Sequence, residues 1–181
     1  FKVSLVPYFF LFVLAIESIW SMRYFLESFV EIGFSIFDAE SFDVNFFKGV
    51  AGNKNITAAS LLLKFAFSTY FLFAKNVHAI TRIVAFFMLT LSLTSVFILS
   101  ARASFVSLIL ISIYLSIIFL LDFFKSKKMN PYGLLLYLSI IFGAFIISNS
   151  FLPDSSNKTL ERVASIELSN QSSSNRLELW Q

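Results

Sequence analysis

Apolar residues in this chain come in long runs and not in alternation with polar ones. Five runs dominate: Val3 to Trp20, Ile56 to Ala74, Ile83 to Leu99, Phe105 to Leu121 and Tyr132 to Ile147. Each approaches the ~20 helical residues needed to cross a ~30 Å hydrocarbon layer. Runs of this kind are expected where lipid, and not a protein core, is the solvent. The pattern predicts an all-α fold, a polytopic transmembrane helical bundle with about five spans over residues 1–148 and a helical extracytoplasmic segment.

Only Ser100, Ala101, Arg102, Ala103 and Ser104 separate the third run from the fourth. As one helix the two would be roughly 58 Å long, too long for a single crossing. A tight helical hairpin with Arg102 at or near its tip is predicted instead, because a charge costs ~2.5 to 3.5 kcal/mol at mid-bilayer and far less at the interface. Orientation follows from the lysines and arginines, which short cytoplasmic loops retain in excess. Lys75 and Arg82 lie between spans two and three, and Lys125, Lys127 and Lys128 between spans four and five. With Lys2, that face carries six bases against the single acid Asp122, whereas Ser21 to Asn55 carries five acids against three bases. Arg102 and the C-terminal segment are then expected to face outward.

After span one, Phe25, Leu26, Phe29, Val30, Phe34 and Phe37 recur at near-helical spacing, with Glu27 and Glu31 on another face. This reads either as an interfacial amphipathic helix or, given Gly33 and the acidic Asp38 to Asp43 stretch, as an irregular solvated loop. From Ser148 the composition turns to Ser, Asn and charge, and Pro153 closes the transition. Residues 149–181 are expected to begin a periplasmic loop, with a short helix over Lys158 to Leu168 and a polar turn at Ser172 to Asn175. Asn175 with Glu178 has capping-box spacing. No internal repeat is present.

Composition strengthens the membrane reading: 57% of residues are hydrophobic and 14% charged, with a mean hydropathy of +0.81, beyond what a soluble surface tolerates. There is no cysteine, which excludes disulfides and thiolate metal sites. His78 is the only histidine, so no His-rich metal site is expected. The first residue is Phe1 and the last is Gln181, and the chain is expected to be a fragment, with the first run a span and not a cleaved leader.

No nucleotide-binding loop, hydrolase elbow or metal-ligand constellation occurs. The remaining candidate chemistry is cationic. Arg102 at the hairpin mouth, Lys64 inside span two, and Arg162 and Arg176 in the outer segment can converge on one anionic group. A guanidinium grips phosphate bidentately and keeps its charge, which suits a lipid diphosphate at the membrane surface. Each has a plainer reading beside it. Arg102 can simply anchor a hairpin in headgroups; Lys64, about eight residues into its run, is too deep to snorkel and is either functional or paired. Arg162 and Arg176 read equally as solvated loop charges, and His78 as a loop residue. Glu17 is expected near the outer end of span one, pairing with Arg23 or reaching water. The sequons at Asn55, Asn157 and Asn170 are best explained by chance.

Three stretches narrow these alternatives. Gly52-Asn53-Lys54-Asn55-Ile56-Thr57-Ala58 leads into span two, Leu99-Ser100-Ala101-Arg102-Ala103-Ser104 joins spans three and four, and Ser173-Ser174-Asn175-Arg176-Leu177-Glu178-Leu179-Trp180 follows span five. In this order the chain resembles the bacterial O-antigen ligase and O-antigen polymerase family, with its Gly-Asn-x-Asn helix start, Ser-Arg-Gly-like turn and Arg-x-x-x-Trp element in a periplasmic loop. The resemblance covers most of the chain. It departs at Ala103, where the family usually has Gly, and the family's catalytic histidine would fall beyond Gln181; His78 lies on the wrong face to replace it.

The resemblance implies a bacterial inner-membrane glycosyltransferase of lipopolysaccharide biosynthesis. It would transfer a glycan from an undecaprenyl-diphosphate carrier to a lipid or glycan acceptor at the periplasmic face, without metal, nucleotide sugar or other cofactor. Arg102 and Arg176 would hold the diphosphate as the catalytic pair, and Asn53 and Asn55 would position substrate, with Lys64 a further substrate-binding candidate. A general base is expected past Gln181. No nucleic-acid partner is expected. The competing reading is a transporter or flippase of an anionic lipid-linked substrate, which would use binding groups near mid-membrane on broken helices. Lys64 is the one base suited to that role, and no Pro or Gly interrupts spans two to four. A structural membrane subunit is the third possibility.

Overall fold

The computed structural model describes residues 5–31, 51–99, 101–125 and 129–151, and among these it holds six helices. They are α1 (Val6–Glu31), α2 (Lys54–Ser68), α3 (Tyr70–Phe73), α4 (Ala79–Leu99), α5 (Arg102–Lys125) and α6 (Gly133–Phe151). Helix makes up 88% of the described structure and strands are absent from it, as the apolar runs require. Among the described residues, five segments are long and apolar enough to cross a membrane: Val6–Glu27, Lys54–Phe73, Ala79–Leu99, Ala103–Asp122 and Gly133–Ser150. In lipid a helix satisfies its own backbone groups, so length and apolarity alone are enough to specify it.

Local chemistry sets the helix ends. Pro7 stands in the first turn of α1, where a missing N–H costs nothing. Gly52 takes a left-handed φ of 65°, and Asn53 then caps α2, its side-chain oxygen accepting from the Asn55 N–H at 2.9 Å. Thr69 joins α2 to α3 within the second span with helical dihedrals, its N–H donating to the Phe65 carbonyl at 3.0 Å and its hydroxyl to the Ala66 carbonyl at 2.6 Å, so the span runs on from Lys54 to Phe73.

One of the expected boundaries is corrected. Span one does not end at Trp20, because α1 continues to Glu31 and carries Phe25, Leu26 and Glu27 as part of one helix. Arg23 Nε donates to Glu27 Oε1 at 2.7 Å, an i,i+4 pair supporting this last stretch. The remainder of the expected interfacial segment, residues 32–37, lies outside the described residues, as do Lys2, Lys127, Lys128 and everything from Leu152 onward. Arg102 stands near the tip of the hairpin as expected, as the first residue of α5, three positions after α4 ends at Leu99. Phe97 and Phe105 stack across that turn with ring centroids 5.9 Å apart.

The helices alternate in direction. Tyr8 and Phe10 near the start of α1 meet Phe71 and Phe67 near the end of span two. Arg82 in the first turn of α4 reaches back to Ala74 and Lys75. Asp122 near the end of α5 accepts from the Met129 N–H at 2.7 Å, and Ala74 and Met129 form an antiparallel bridge. One end of the bundle thus collects the start of α1, the end of α3, the start of α4, the end of α5 and the start of α6. The opposite end collects Asn53, the α4–α5 turn and the end of α6. α4 is the central helix, packed on α1, α2 and α6, while α5 packs chiefly along α2.

Large apolar side chains point both ways. Leu14, Leu61, Phe65, Leu89, Leu93 and Ile140 form the interior, whereas Phe9, Phe12, Leu63, Phe87, Leu110, Phe124 and Phe142 are exposed. Apolar exposure around most helices suits a hydrocarbon solvent.

Candidate functional site

Near the Asn53 end, the Gly-Asn-x-Asn stretch is an N-terminal helix cap. The Asn53 backbone carbonyl accepts from the Thr57 N–H at 3.0 Å, and the Thr57 hydroxyl accepts from the Ala51 N–H at 3.3 Å. Asn53 and Asn55 are both exposed. Arg102 begins α5 at this same end; its side chain lies outside the described residues, as does Arg176. The turn around it is short, with the Ser104 N–H donating to the Ala101 carbonyl at 2.9 Å.

Lys64 is not part of that group. It lies ten residues into the Lys54–Phe73 span, roughly 15 Å along the helix axis from the cap. Its ammonium donates to Glu17 Oε2 and to Ser60 Oγ, and more distantly to the Ser60 carbonyl at 3.5 Å. Ser60 Oγ in turn donates to the same Glu17 oxygen at 3.2 Å. The side chains of Lys64 and Glu17 are 17% and 13% exposed, so the pair is largely removed from solvent. Glu17 is therefore not at the outer end of its span and does not pair with Arg23. It is eleven residues from Val6 and ten from Glu27, at the centre of its span. A charge in such a place needs a partner, and each of these two residues supplies the other's.

Glu17 as the partner of Lys64 was missed from sequence because span one was ended too early. The available signal was an acid and a base each near mid-span, once Val6–Glu27 is taken as one helix.

The opposite end is tied down by polar contacts with backbone. Arg82 Nη2 donates to the Ala74 carbonyl at 2.9 Å, and Nε to that of Phe71 at 3.4 Å, covering the last carbonyls of α3. Asn130 is buried; its Nδ2 donates to the Leu72 carbonyl at 3.2 Å and its N–H to that of Phe73 at 2.6 Å. Gly133 allows this approach, since a Cβ there would lie 2.8 Å from a Phe73 ring carbon and 3.0 Å from the Leu72 carbonyl oxygen. His78 is exposed at this end, far from Arg102. Among the described residues no cluster of three or more histidines and carboxylates occurs that could hold a metal.

Between the ends, Tyr137 is fully buried where α2, α3, α5 and α6 meet, with Phe65 and Phe73 about it. Ser112 donates to the Leu108 carbonyl at 2.7 Å, so the Tyr137 hydroxyl, 2.8 Å from Ser112 Oγ, acts as donor to it.

Fold and site together define a helical bundle of membrane-spanning dimensions with an ion pair at its middle and motif-bearing turns at one end. No family profile, curated protein or solved structure matches the chain.

Proposed function

We propose that the chain is the core of a membrane glycosyltransferase of the O-antigen ligase or polymerase type. It moves a glycan from a polyprenyl-diphosphate carrier to a lipid or glycan acceptor at the outer face of a bacterial inner membrane. The observation that carries this reading is the common end shared by the Asn53 cap, the Arg102 turn and the end of α6, beyond which Arg176 follows in sequence. Two arginines from distant stretches are chemically suited to one diphosphate, because guanidinium groups stabilise charge that develops as the leaving group departs. In the reaction an acceptor hydroxyl attacks the anomeric carbon, the carbon–oxygen bond to phosphate breaks, and the carrier diphosphate takes the electron pair. The hydroxyl proton goes to a general base at the same face. Arg102→Ala and Arg176→Ala should each abolish glycan transfer in membranes containing normal amounts of protein, with little effect from Arg162→Ala. Full activity in both variants would reject the site.

One observation favours a second reading, transport of an anionic lipid-linked substrate. The Glu17–Lys64 pair lies mid-span, where intramembrane charges mark substrate and ion pathways. Vesicles holding the chain would then move a labelled polyprenyl diphosphate between leaflets with no acceptor present, which a transferase would not do.

A further inference from the structure

The Glu17–Lys64 pair is level with the middle of its spans but stands on the flank of the bundle. Leu14, Ser18 and Ser21 mark the core face of α1, and Leu61, Leu62 and Phe65 that of α2, all buried. Glu17 shares its side of α1 with the exposed Trp20, three residues on. Lys64 shares its side of α2 with Ser60, four residues back, and with the exposed Phe67, three residues on. These two stripes border the outer seam between the helices. Ile56 and Leu63 are exposed beside it, and the stacked rings of Phe10 and Phe67 close it on the side away from Asn53.

Two features leave this seam incomplete. The side chains of Glu17 and Lys64 keep 13% and 17% exposure at mid-span, where ionisable groups face a protein interior and not lipid. Hydrogen bonding is unfinished as well. The Lys64 ammonium and the Ser60 hydroxyl both donate to Glu17 Oε2, and none of the described residues donates to Oε1. A carboxylate accepts at both oxygens, and hydrocarbon offers no donor. The seam therefore calls for a further donor at the depth of Glu17, carried on an apolar surface.

A second copy of this chain carries both. Two copies inserted in the same sense are related by a two-fold axis along the membrane normal, and their contact is isologous. Identical seams facing one another across that axis set α1 of each copy against α2 of the other and leave depth unchanged. Glu17 and Lys64 already lie at one depth, since they are bonded to each other, so each Glu17 meets the partner's Lys64. A seam with a lone acid or a lone base would face its own charge across the axis and be repelled. One of each at equal depth is self-complementary. We propose that the outer α1–α2 seam is a homodimer interface, in which Glu17 Oε1 accepts from the partner's Lys64 and the two pairs join into one neutral cluster of four charges. Trp20, Ile56, Leu63 and Phe67 pack around the cluster in place of lipid. Polar groups of this kind hold transmembrane helices together. The inference is independent of glycan transfer.

Because the chain has no cysteine, single thiols can be introduced without background. Trp20→Cys in one tagged copy and Leu63→Cys in a differently tagged copy differ by about 3 Å in depth across the seam. Ile113→Cys and Leu138→Cys, at exposed positions of α5 and α6, are the control pair. With the full chain in membranes, a short bis-maleimide should join the two tags at 20 and 63, and at least about tenfold less at 113 and 138. Equal yields at both pairs, linkage only to some other protein, or no linkage at 20 and 63 would overturn the interface. A second measurement uses the double variant Glu17→Gln, Lys64→Met, which keeps the bulk of both side chains and strands no charge. Donor- and acceptor-labelled copies diluted in vesicles report dimer dissociation, and its constant should rise on the order of tenfold in the double variant. A constant equal to the parent's would equally defeat the proposal.

Discussion

Lys64→Met keeps most of the side-chain volume and removes the ammonium, leaving the Glu17 carboxylate with Ser60 as its remaining partner. Neither residue can reach a headgroup, since each lies roughly 15 Å along its helix from either end of its span. Breaking a buried pair from one side costs about 3 to 5 kcal/mol; because the two side chains keep 13% and 17% exposure, the lower end applies. A loss of about 3 kcal/mol lowers the folded-to-unfolded ratio on the order of a hundredfold. Glu17→Gln should cost a similar amount by stranding Lys64. The double variant removes both charges and should fall within about 1 kcal/mol of the parent, since uncharged replacements of buried pairs are often neutral. The coupling from the cycle is thus of order several kcal/mol. Reversible unfolding in mixed detergent and dodecyl sulfate micelles, followed by far-ultraviolet dichroism, measures all four proteins. If Lys64→Met matched the parent, or the double variant were as unstable as the two singles summed, the pair would not be holding α1 to α2.

Asn53→Ala should cost about 1 kcal/mol by removing a cap, whereas Asn53→Asp should keep stability because aspartate caps equally well; loss of transfer in the aspartate variant alone would mark a role toward an anion. Asn130→Ala should lower stability by about 1 to 3 kcal/mol, because the Leu72 carbonyl loses its bond to the buried Asn130 amide. Gly133→Ala forces a methyl against Phe73 and the Leu72 carbonyl and should cost about 1 to 3 kcal/mol, read in the same unfolding assay. Tyr137→Phe removes one hydroxyl bonded to Ser112 and should cost about 1 kcal/mol, so a loss several times larger would mean that the hydroxyl has a further partner.

What the chain reveals before folding is considered is its helices. A helix in lipid closes its own hydrogen bonds, so an apolar run of adequate length specifies a span without reference to any neighbour. The break between Leu99 and Arg102 is legible for the same reason, as one helix across both runs would overshoot the bilayer. Short polar motifs were less informative. The Asn53 oxygen can serve a backbone N–H or a ligand, and only the geometry at Gly52 and Asn55 identifies the cap. The apolar run of span one stops at Trp20, and only the structure shows the helix continuing beyond it, with Arg23 and Glu27 paired one turn apart.

Tertiary structure alone decided which groups meet. Glu17 and Lys64 are separated by 47 residues, Asn130 and Leu72 by 58, and Ser112 and Tyr137 by 25. Whether two such groups touch depends on how each helix is rotated about its axis and slid along it. Those two quantities are set by side-chain packing between helices, with α4 at the centre, and leave no local trace in the order of residues.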